Sequence, residues 1–209
     1  MKKNFRPKGF IFIISSPSGC GKTMLAKTLL KDDANLKQSI SVTTRPKRKG
    51  EVSGQDYFFI DGKEYKRMLE DDLLLEHAKI FGNLYGSPKK NIEEILNQGK
   101  DVLCVIDWQG AVELMKKVKK DLVTVFILPP ALSELKKRLT GRATDSSEVM
   151  KRRLNKAKEE ISKSYQYDYI VINDDFATCA SQLKMILGTE RLKRVRQDMI
   201  RLISAIEKE

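Results

Sequence analysis

Residues 16–23 read Ser16-Pro17-Ser18-Gly19-Cys20-Gly21-Lys22-Thr23. An apolar run precedes this stretch and a segment with helical character follows it, so we predict a loop between a buried strand and a helix. Glycines allow consecutive backbone N–H groups to turn inward, and the N-terminus of the helix adds partial positive charge. Lys22 would supply a mobile cation for phosphate oxygens, and the Thr23 hydroxyl would be a ligand for Mg²⁺. The stretch therefore predicts a phosphate cradle.

One residue departs from the usual pattern G-x-x-x-x-G-K-[ST], because Ser16 stands in place of the first glycine. Serine is compatible with this position as long as its backbone φ stays negative. The alternative is a Ser/Gly turn before an ordinary helix. The preceding strand, the following helix and the intact Gly21-Lys22-Thr23 favour the cradle.

Length and cysteine content limit the class of protein. The chain has 209 residues, enough for one well-packed core. No apolar stretch is long enough to cross a bilayer, and the basic N-terminal residues lead into the cradle and not into a secretory signal, so we expect no membrane association. The three cysteines, Cys20, Cys104 and Cys179, form neither a metal-binding pattern nor a disulfide framework. Reduced thiols in a cytoplasmic protein are the simplest interpretation.

The formal net charge of the chain is +12. Such a charge is typical either of a nucleic-acid-binding protein or of a lysine-rich protein whose site holds several phosphate groups. The sequence contains no helix-turn-helix, zinc finger or aromatic RNA-binding platform. We therefore favour the phosphate site and expect no nucleic-acid partner.

Short apolar runs alternate with helical patterns along most of the chain. The runs are rich in β-branched residues and predict buried strands at 10–14, 102–106, 122–128 and 169–172. Helical patterns cover 23–31, 89–98, 110–119, 131–140 and 147–164. This alternation predicts an α/β fold of three layers, in which a parallel sheet has helices on both sides. Ligands then bind beyond the carboxyl ends of the strands.

Two segments interrupt this alternation of strands and helices. Residues 39–84 predict an insertion with a small sheet of its own: short strands at 39–44 and 57–60, a basic turn-rich stretch at 45–55 and a small helix at 62–71. Residues 182–209 are predicted to be helical, with apolar side chains at steps of three and four. Packing on the core or on a second subunit, hence a homodimer, would explain this stripe; a membrane-surface helix is the weaker alternative.

Five segments, in order, resemble the motifs of the guanylate kinase family of P-loop nucleoside monophosphate kinases. The first is residues 41–57, Ser-Val-Thr-Thr-Arg-Pro-Lys-Arg-Lys-Gly-Glu-Val-Ser-Gly-Gln-Asp-Tyr, and the second extends from Glu76 to Ser87. The third is Ile106-Asp107-Trp108-Gln109-Gly110. The last two are Arg138-Leu139-Thr140-Gly141-Arg142, followed by Arg153-Leu154, and Val171-Ile172-Asn173-Asp174.

The resemblance implies one domain over residues 1–209. A P-loop core at 1–38 and 88–209 would carry a helical lid at about 138–158, and residues 39–87 would form an inserted GMP-binding subdomain. The implied reaction is the ATP-dependent phosphorylation of GMP to GDP, which serves nucleotide salvage and GTP supply. ATP and GMP are the implied partners, and Mg²⁺ is the implied cofactor.

The phosphate of GMP needs forked donors of permanent charge. Arg45 and Arg48 lie three residues apart in a Gly/Pro-rich loop, and guanidinium groups suit bidentate phosphate capture. Tyr57 and Tyr85 can add phenolic hydrogen bonds, and the resemblance implies that all four residues bind the GMP phosphate. A solvated basic turn is the alternative for the arginine loop.

Guanine recognition needs acceptors for N1–H and the 2-amino group and a donor for the 6-oxo group. The resemblance implies that Glu76 and Asp107 accept from guanine, and that Ser41 and Ser87 donate to its oxygen. Adenine would leave these carboxylates unpaired, so such a site rejects it strongly. The alternative for Glu76 is an ordinary position on a helix surface.

The donor side of the reaction needs positive charge near the transferring phosphoryl group. The resemblance implies that the cradle, residues 16–23, and Asn173 bind ATP. The implied catalytic residues are Lys22, Arg45, Arg138, Arg142 and Arg153. Closure of the lid would bring its arginines to the phosphates and expel water. A solvated basic helix is the alternative for the lid, and a turn at a strand end is the alternative for Asn173.

Besides Ser16, the chain departs from the family at two positions. Val105 stands where the family carries the first aspartate of Asp-x-Asp, and Ala143 stands where the lid often has glycine. Val105 leaves the Mg²⁺ ligands beyond Thr23 open. We interpret His77 and Trp108 as structural, because the acceptor phosphate is already an anion and needs no histidine base.

Two other classes of function remain as alternatives. A protein-binding module without catalysis would tend to lose the cradle, which is present here with the lid arginines. The second alternative is another nucleoside monophosphate kinase. Glu76 together with Ser41 argues against it, because uracil and adenine present hydrogen-bonding edges that differ from that of guanine.

Overall fold

The computed structural model describes residues 9–80, 82–118, 120–140 and 147–207. The strands are β1 (Ile11–Ser15), β2 (Leu36–Gln38), β3 (Val42–Thr43), β4 (Phe58–Phe59), β5 (Leu74–Ile80), β6 (Asn83–Pro88), β7 (Asp101–Val105), β8 (Leu122–Leu128) and β9 (Tyr169–Ile172). The helices are α1 (Lys22–Asp32), α2 (Gly62–Glu70), α3 (Lys89–Asn97), α4 (Trp108–Lys117), α5 (Leu132–Thr140), α6 (Ser147–Ile161), α7 (Phe176–Leu192) and α8 (Met199–Ile206). Arg142 and Ala143 lie outside the described residues.

Five parallel strands form the central sheet, in the order β2-β7-β1-β8-β9. Alternate residues of β1 and of the position before it belong to two separate hydrophobic cores, because successive side chains of a strand point to opposite faces. Phe10, Phe12 and Ile14 pack with residues of α1, α5, α6 and α7. Ile11 and Ile13 pack with residues of α3 and α4. Helices therefore cover both faces, and the predicted α/β fold class is confirmed.

The chain between β2 and β7 forms a second, four-stranded sheet in the order β4-β3-β6-β5. Strands β5 and β6 are antiparallel neighbours, and β6 also pairs antiparallel with β3. A small core of Val42, Tyr65 and Leu74 packs between this sheet and α2. The prediction of a separate small sheet in this region is confirmed, although its strands differ from the predicted ones.

The predicted strands of the insertion were too long, and three strands were missed. Residues 39–44 and 57–60 contribute only β3 and β4, and β2, β5 and β6 had no counterpart in the prediction. In β5 the inward positions are Leu74, Glu76 and Ala78. The buried carboxylate at the middle position hides the apolar alternation by which a half-buried strand is recognised.

Two further expectations about burial were wrong. Strand β9 lies at the edge of the sheet and exposes Ile170 and Ile172, so it is not buried on both faces. The predicted helix over 182–209 is interrupted between α7 and α8 by the 3₁₀ turn Arg194–Arg196. The break places Arg196 in the interior, where it pairs with buried Glu190.

The three cysteines carry free thiols, as predicted, and all three are buried. Within the part of the chain that the structure describes, every helix is too short or too polar to span a bilayer.

Candidate active site

The cradle connects the end of β1 at Ser15 to the start of α1 at Lys22. Gly19 and Gly21 have φ values of +94° and +82°, in the left-handed region that favours glycine. A Cβ atom at position 21 would also lie 2.9 Å from Nδ2 of Asn173. Ser16 has no positive φ, because Asp72 is the one non-glycine residue of the described chain with that conformation. Serine is therefore tolerated at the first position of the cradle.

Lys22 is anchored where β7 ends. Its Nζ donates to the backbone oxygen of Ile106 at 3.2 Å, and Oγ of Ser15 donates to the same oxygen at 2.9 Å. Burial lowers the pKa of Lys22, and the nearby negative charges of Asp107 and Glu160 act in the opposite direction. The ammonium group therefore lies at the carboxyl edge of the parallel sheet, beside two carboxylates.

Asn173 makes a hydrogen bond to the backbone of the cradle. Its Nδ2 donates to the backbone oxygen of Cys20 at 2.8 Å, and its own backbone oxygen accepts from Nη1 of Arg138 at 3.1 Å. The resemblance implies that Asn173 binds ATP and that Arg138 is catalytic; in the structure Asn173 contacts the cradle directly, and Arg138 contacts Asn173. Arg153 lies partly buried on α6. Arg142, for which a catalytic role is predicted, lies outside the described residues.

A cavity of about 220 Å³ opens next to the cradle. Its lining includes Thr23 from the cradle helix and the four residues predicted to bind the acceptor phosphate, Arg45, Arg48, Tyr57 and Tyr85. The rings of Tyr57 and Tyr85 have centroids 5.9 Å apart, and the Arg45 guanidinium lies 5.3 Å from the Tyr57 centroid. The structure thus brings the cradle and the arginine loop together around one space.

Glu76 projects inward from β5 and is only 2% exposed. Burial raises its pKa to about 7, and the neighbouring Asp107 adds to this shift, whereas a hydrogen bond from Ser87 opposes it. The Ser87 hydroxyl donates to Oε1 of Glu76 at 2.6 Å and lies 3.4 Å from the Ser41 hydroxyl. Glu76 is thus not on a helix surface, and buried Glu76 and Ser87 form a polar cluster with partly buried Ser41.

Asp107 caps the N-terminus of α4. Its Oδ1 accepts from the backbone N–H of Gly110 at 3.1 Å, whereas Oδ2 is buried and has no hydrogen-bond partner among the described residues. Leaving a buried acceptor unpaired costs about 1–3 kcal/mol. Burial also raises the pKa of Asp107. An unpaired carboxylate oxygen beside Glu76 is what a ligand with N–H donors would satisfy.

Sequence reasoning missed two acidic residues of this site. Glu51 lines the cavity and pairs with Arg45. Glu160, on α6, lies near Lys22 and accepts a hydrogen bond from the backbone of Ser18, and burial raises its pKa to about 7. Glu51 follows Arg48 by three residues within a basic loop, and this spacing could have identified it as a site residue from the sequence. Nothing in the sequence around Glu160 distinguishes it from other surface glutamates of a helix.

The residues of the cradle fit a Mg²⁺ ion that is shared with phosphates. Among residues 9–80, 82–118, 120–140 and 147–207, no three or more His, Cys, Asp or Glu side chains cluster as a metal site. Mg²⁺ in kinases is typically held by one or two protein groups plus phosphate oxygens and water. Thr23 is exposed at the start of α1 and lines the cavity, so its hydroxyl can be such a ligand.

A glycine-rich cradle with Lys-Thr at the helix start, opposite an arginine–tyrosine anion cavity, defines the chain as a P-loop kinase of small phosphorylated substrates. Residues 8–190 match the family described as guanylate kinase. The chain belongs to the guanylate kinase family.

Similar proteins support the same assignment. A guanylate kinase of Novosphingobium aromaticivorans is 52% identical over 190 residues, which is 91% of this chain and 86% of that protein. One from Zymomonas mobilis is 50% identical over 196 residues, or 93% of this chain and 91% of its own length. The crystal structure of guanylate kinase from Anaplasma phagocytophilum superimposes with a TM-score of 0.79 at 38% identity and covers 94% of each chain.

Proposed function

We propose a division of labour among the residues of this site for the reaction that the chain catalyses, the ATP-dependent phosphorylation of GMP to GDP. One observation carries the proposal: Thr23 of the cradle and Arg45 of the insertion line the same cavity. Phosphoryl transfer requires donor and acceptor phosphates to be held in line at short range. A shared cavity supplies that proximity.

The acceptor phosphate would bind among Arg45, Arg48, Tyr57 and Tyr85. The two guanidinium groups supply charge, and the phenolic hydroxyls supply further donors. The cavity is open to Thr23, so a phosphate held here would face the cradle.

The guanine base would bind against Glu76 and Asp107. The unpaired Oδ2 of Asp107 and the buried carboxylate of Glu76 offer acceptors for N1–H and the 2-amino group. Ser41 would donate to the 6-oxo group. Ser87 donates to Glu76 in this structure, so its contribution to the base would require its hydroxyl to reorient.

The ATP phosphates would bind the backbone N–H groups of the cradle, with Lys22 and the lid arginines Arg138, Arg142 and Arg153 neutralising charge on the transferring group. Asn173 would support the cradle from the side of β9. The Thr23 hydroxyl would be the protein ligand of Mg²⁺, which would supply positive charge to neutralise the donor phosphates.

We also make three predictions about the cellular location, the oligomeric state and the partners of the enzyme. A cytoplasmic location is supported by three free cysteines, since oxidising compartments favour disulfides. A homodimer is supported by exposed apolar side chains near the C-terminus, such as Leu192, Ile200 and Ile206, and sedimentation of the purified chain would test it. No nucleic-acid partner is expected.

A coupled assay of ADP formation tests the proposed function. GMP, AMP, UMP and dTMP are offered separately with ATP and Mg²⁺, and we expect turnover with GMP to exceed turnover with the other three by orders of magnitude. Glu76→Ala should reduce the discrimination against AMP. Arg45→Ala should raise KM for GMP far more than KM for ATP. Equal turnover of all four nucleotides, or no ADP above background, would refute the assignment.

A further inference from the structure

The carboxylate of Glu51 is bound to the guanidinium of Arg45 at the edge of the acceptor cavity. Nη1 of Arg45 donates to Oε2 of Glu51 at 2.9 Å, and Nη2 donates to Oε1 at 2.8 Å. The side chains of Arg45 and Glu51 are only 10% and 19% exposed. Such a bidentate pair fixes the plane of the guanidinium as well as its position.

Glu51 also closes the loop that carries both arginines. Its Oε2 accepts a hydrogen bond from the backbone N–H of Arg48 at 2.8 Å. The hydrogen bond from Arg45 is the main cause that lowers the pKa of Glu51, so this carboxylate stays ionised at neutral pH. One side chain thus determines the orientation of Arg45 and the backbone path at Arg48.

The remaining contacts of Arg45 leave one edge of its guanidinium for another acceptor. Nη1 also donates to the backbone oxygen of Pro46 at 2.8 Å, so Glu51 and Pro46 together take both hydrogens of Nη1 and one of Nη2. A guanidinium has five N–H groups. The edge formed by Nε and Nη2 therefore remains for a ligand, and Tyr85 is close enough to raise the pKa of Arg45 together with Glu51, whose hydrogen bond is the main cause.

Two aromatic rings also lie beside the guanidinium of Arg45. It lies 5.3 Å from the ring centroid of Tyr57 and 5.5 Å from that of Phe59. These contacts restrict movement toward the rings but do not determine rotation within the plane of the group. Among the contacts described, the paired oxygens of Glu51 are suited to set that rotation.

We propose that Glu51 is a positioning residue for the acceptor phosphate: it holds Arg45 so that the Nε–Nη2 edge of the guanidinium faces the phosphate of GMP. The inference rests on the proposed function and extends it to a residue that need not touch the substrate. Arg45 would then meet the phosphate already oriented, which avoids the entropy cost of ordering a long side chain on binding.

The test compares Glu51→Gln with the wild-type protein. Gln has nearly the shape of Glu but offers one carbonyl acceptor, and its amide would face N–H donors of Arg45. We expect the Kd for GMP, measured by calorimetry, to rise about tenfold or more, since small misplacement of a binding group is costly. The Kd for guanosine, which lacks the phosphate, and the KM for ATP should stay within about twofold of wild type.

The chain offers a matched control on α2. Arg67 donates through Nε and Nη2 to both oxygens of Glu64, at 2.9 and 2.7 Å, but this pair is on the surface, with side chains 59% and 41% exposed. Glu64→Gln should change neither Kd. In an Arg45→Ala background, Glu51→Gln should have little further effect on GMP binding, because the guanidinium is gone and the Gln carbonyl can still accept from the backbone N–H of Arg48.

Three results would overturn the inference. Tighter GMP binding by Glu51→Gln would mean that the carboxylate competes with the phosphate. Equal loss of guanosine and GMP binding would indicate a general structural role. Unchanged GMP binding would show that Arg45 is oriented without Glu51. Each result requires a wild-type protein that forms GDP, so failure of the proposed function is recognised separately, by absence of GDP from the wild-type assay.

Discussion

Gly110 lies so close to Glu76 that a Cβ atom at position 110 would be 2.3 Å from the carboxylate oxygen Oε2. The backbone N–H of Gly110 also donates to Oδ1 of Asp107. A single residue without a side chain thus lets the start of α4 approach both carboxylates of the candidate guanine site. The absence of a Cβ atom at Gly110 therefore permits the geometry of the proposed guanine site.

Gly110→Ala should displace Glu76. Because Glu76 is buried and hydrogen-bonded to Ser87, it cannot move away freely, and we expect KM for GMP to rise about tenfold or more while KM for ATP changes little. Steady-state kinetics in which GMP and ATP are varied in turn measures the two KM values. Gly188→Ala is the control, since a Cβ atom at that helical position would meet nothing within 4 Å. An unchanged KM for GMP would place the base elsewhere.

Lys22→Ala should remove most of the turnover. The ammonium group lies between the cradle and the carboxyl edge of the sheet, where charge would develop on the transferring phosphoryl group in the proposed mechanism. We expect kcat to fall by roughly 10² or more, in the range observed when one electrostatic donor is removed. Lys31→Ala, at an exposed position near the end of the same helix, provides the control. Near-normal kcat would contradict the role of Lys22.

Glu76→Gln should change how stability depends on pH. The folded-state pKa of Glu76 is raised from 4.5 to about 7, so the folded protein binds this proton more tightly than the unfolded chain does. The carboxylate therefore costs stability as pH rises from about 4.5 through 7, on the order of 3 kcal/mol when fully ionised.

Gln cannot ionise, so the variant should gain stability relative to wild type as pH rises. Thermal melts of both proteins at pH 5, 6, 7 and 8 measure this difference, and charge changes at other residues such as Glu160 are common to both proteins. Parallel Tm curves over this range would show that the carboxyl group of Glu76 is not perturbed.

Asn173→Ala should weaken the cradle. The buried backbone oxygen of Cys20 would lose the donor at 2.8 Å, at a cost of about 1–3 kcal/mol. For a chain of this length that corresponds to a fall in Tm of roughly 2–12 °C. We also expect KM for ATP to rise more than KM for GMP. Asn91→Ala is a useful comparison, because that side chain accepts from the backbone of Ile40, away from the cradle. A larger effect on GMP would contradict this role.

The cradle and the central strands were predictable because their signals are local. The bounds predicted at 122–128 and 169–172 coincide with β8 and β9, and the cradle begins and ends at the expected elements. Buried strands and glycine-rich turns can be recognised from residues that are adjacent in the sequence. Glu76 shows the limit, since its burial in β5 depends on Ser87 and α4, which lie farther along the chain.

The sequence by itself determined the α/β layers, the phosphate cradle and, through ordered motifs, membership of the guanylate kinase family, because each depends on residue types at short spacing. Only the tertiary structure decided which side chains face one another. It paired Glu51 with Arg45, left Oδ2 of Asp107 unpaired in the interior and broke the C-terminal helix to bury Arg196 against Glu190. Both pairs join residues only six apart, yet they depend on how a loop or a broken helix folds back on itself and on what packs around it, which local periodicity does not encode.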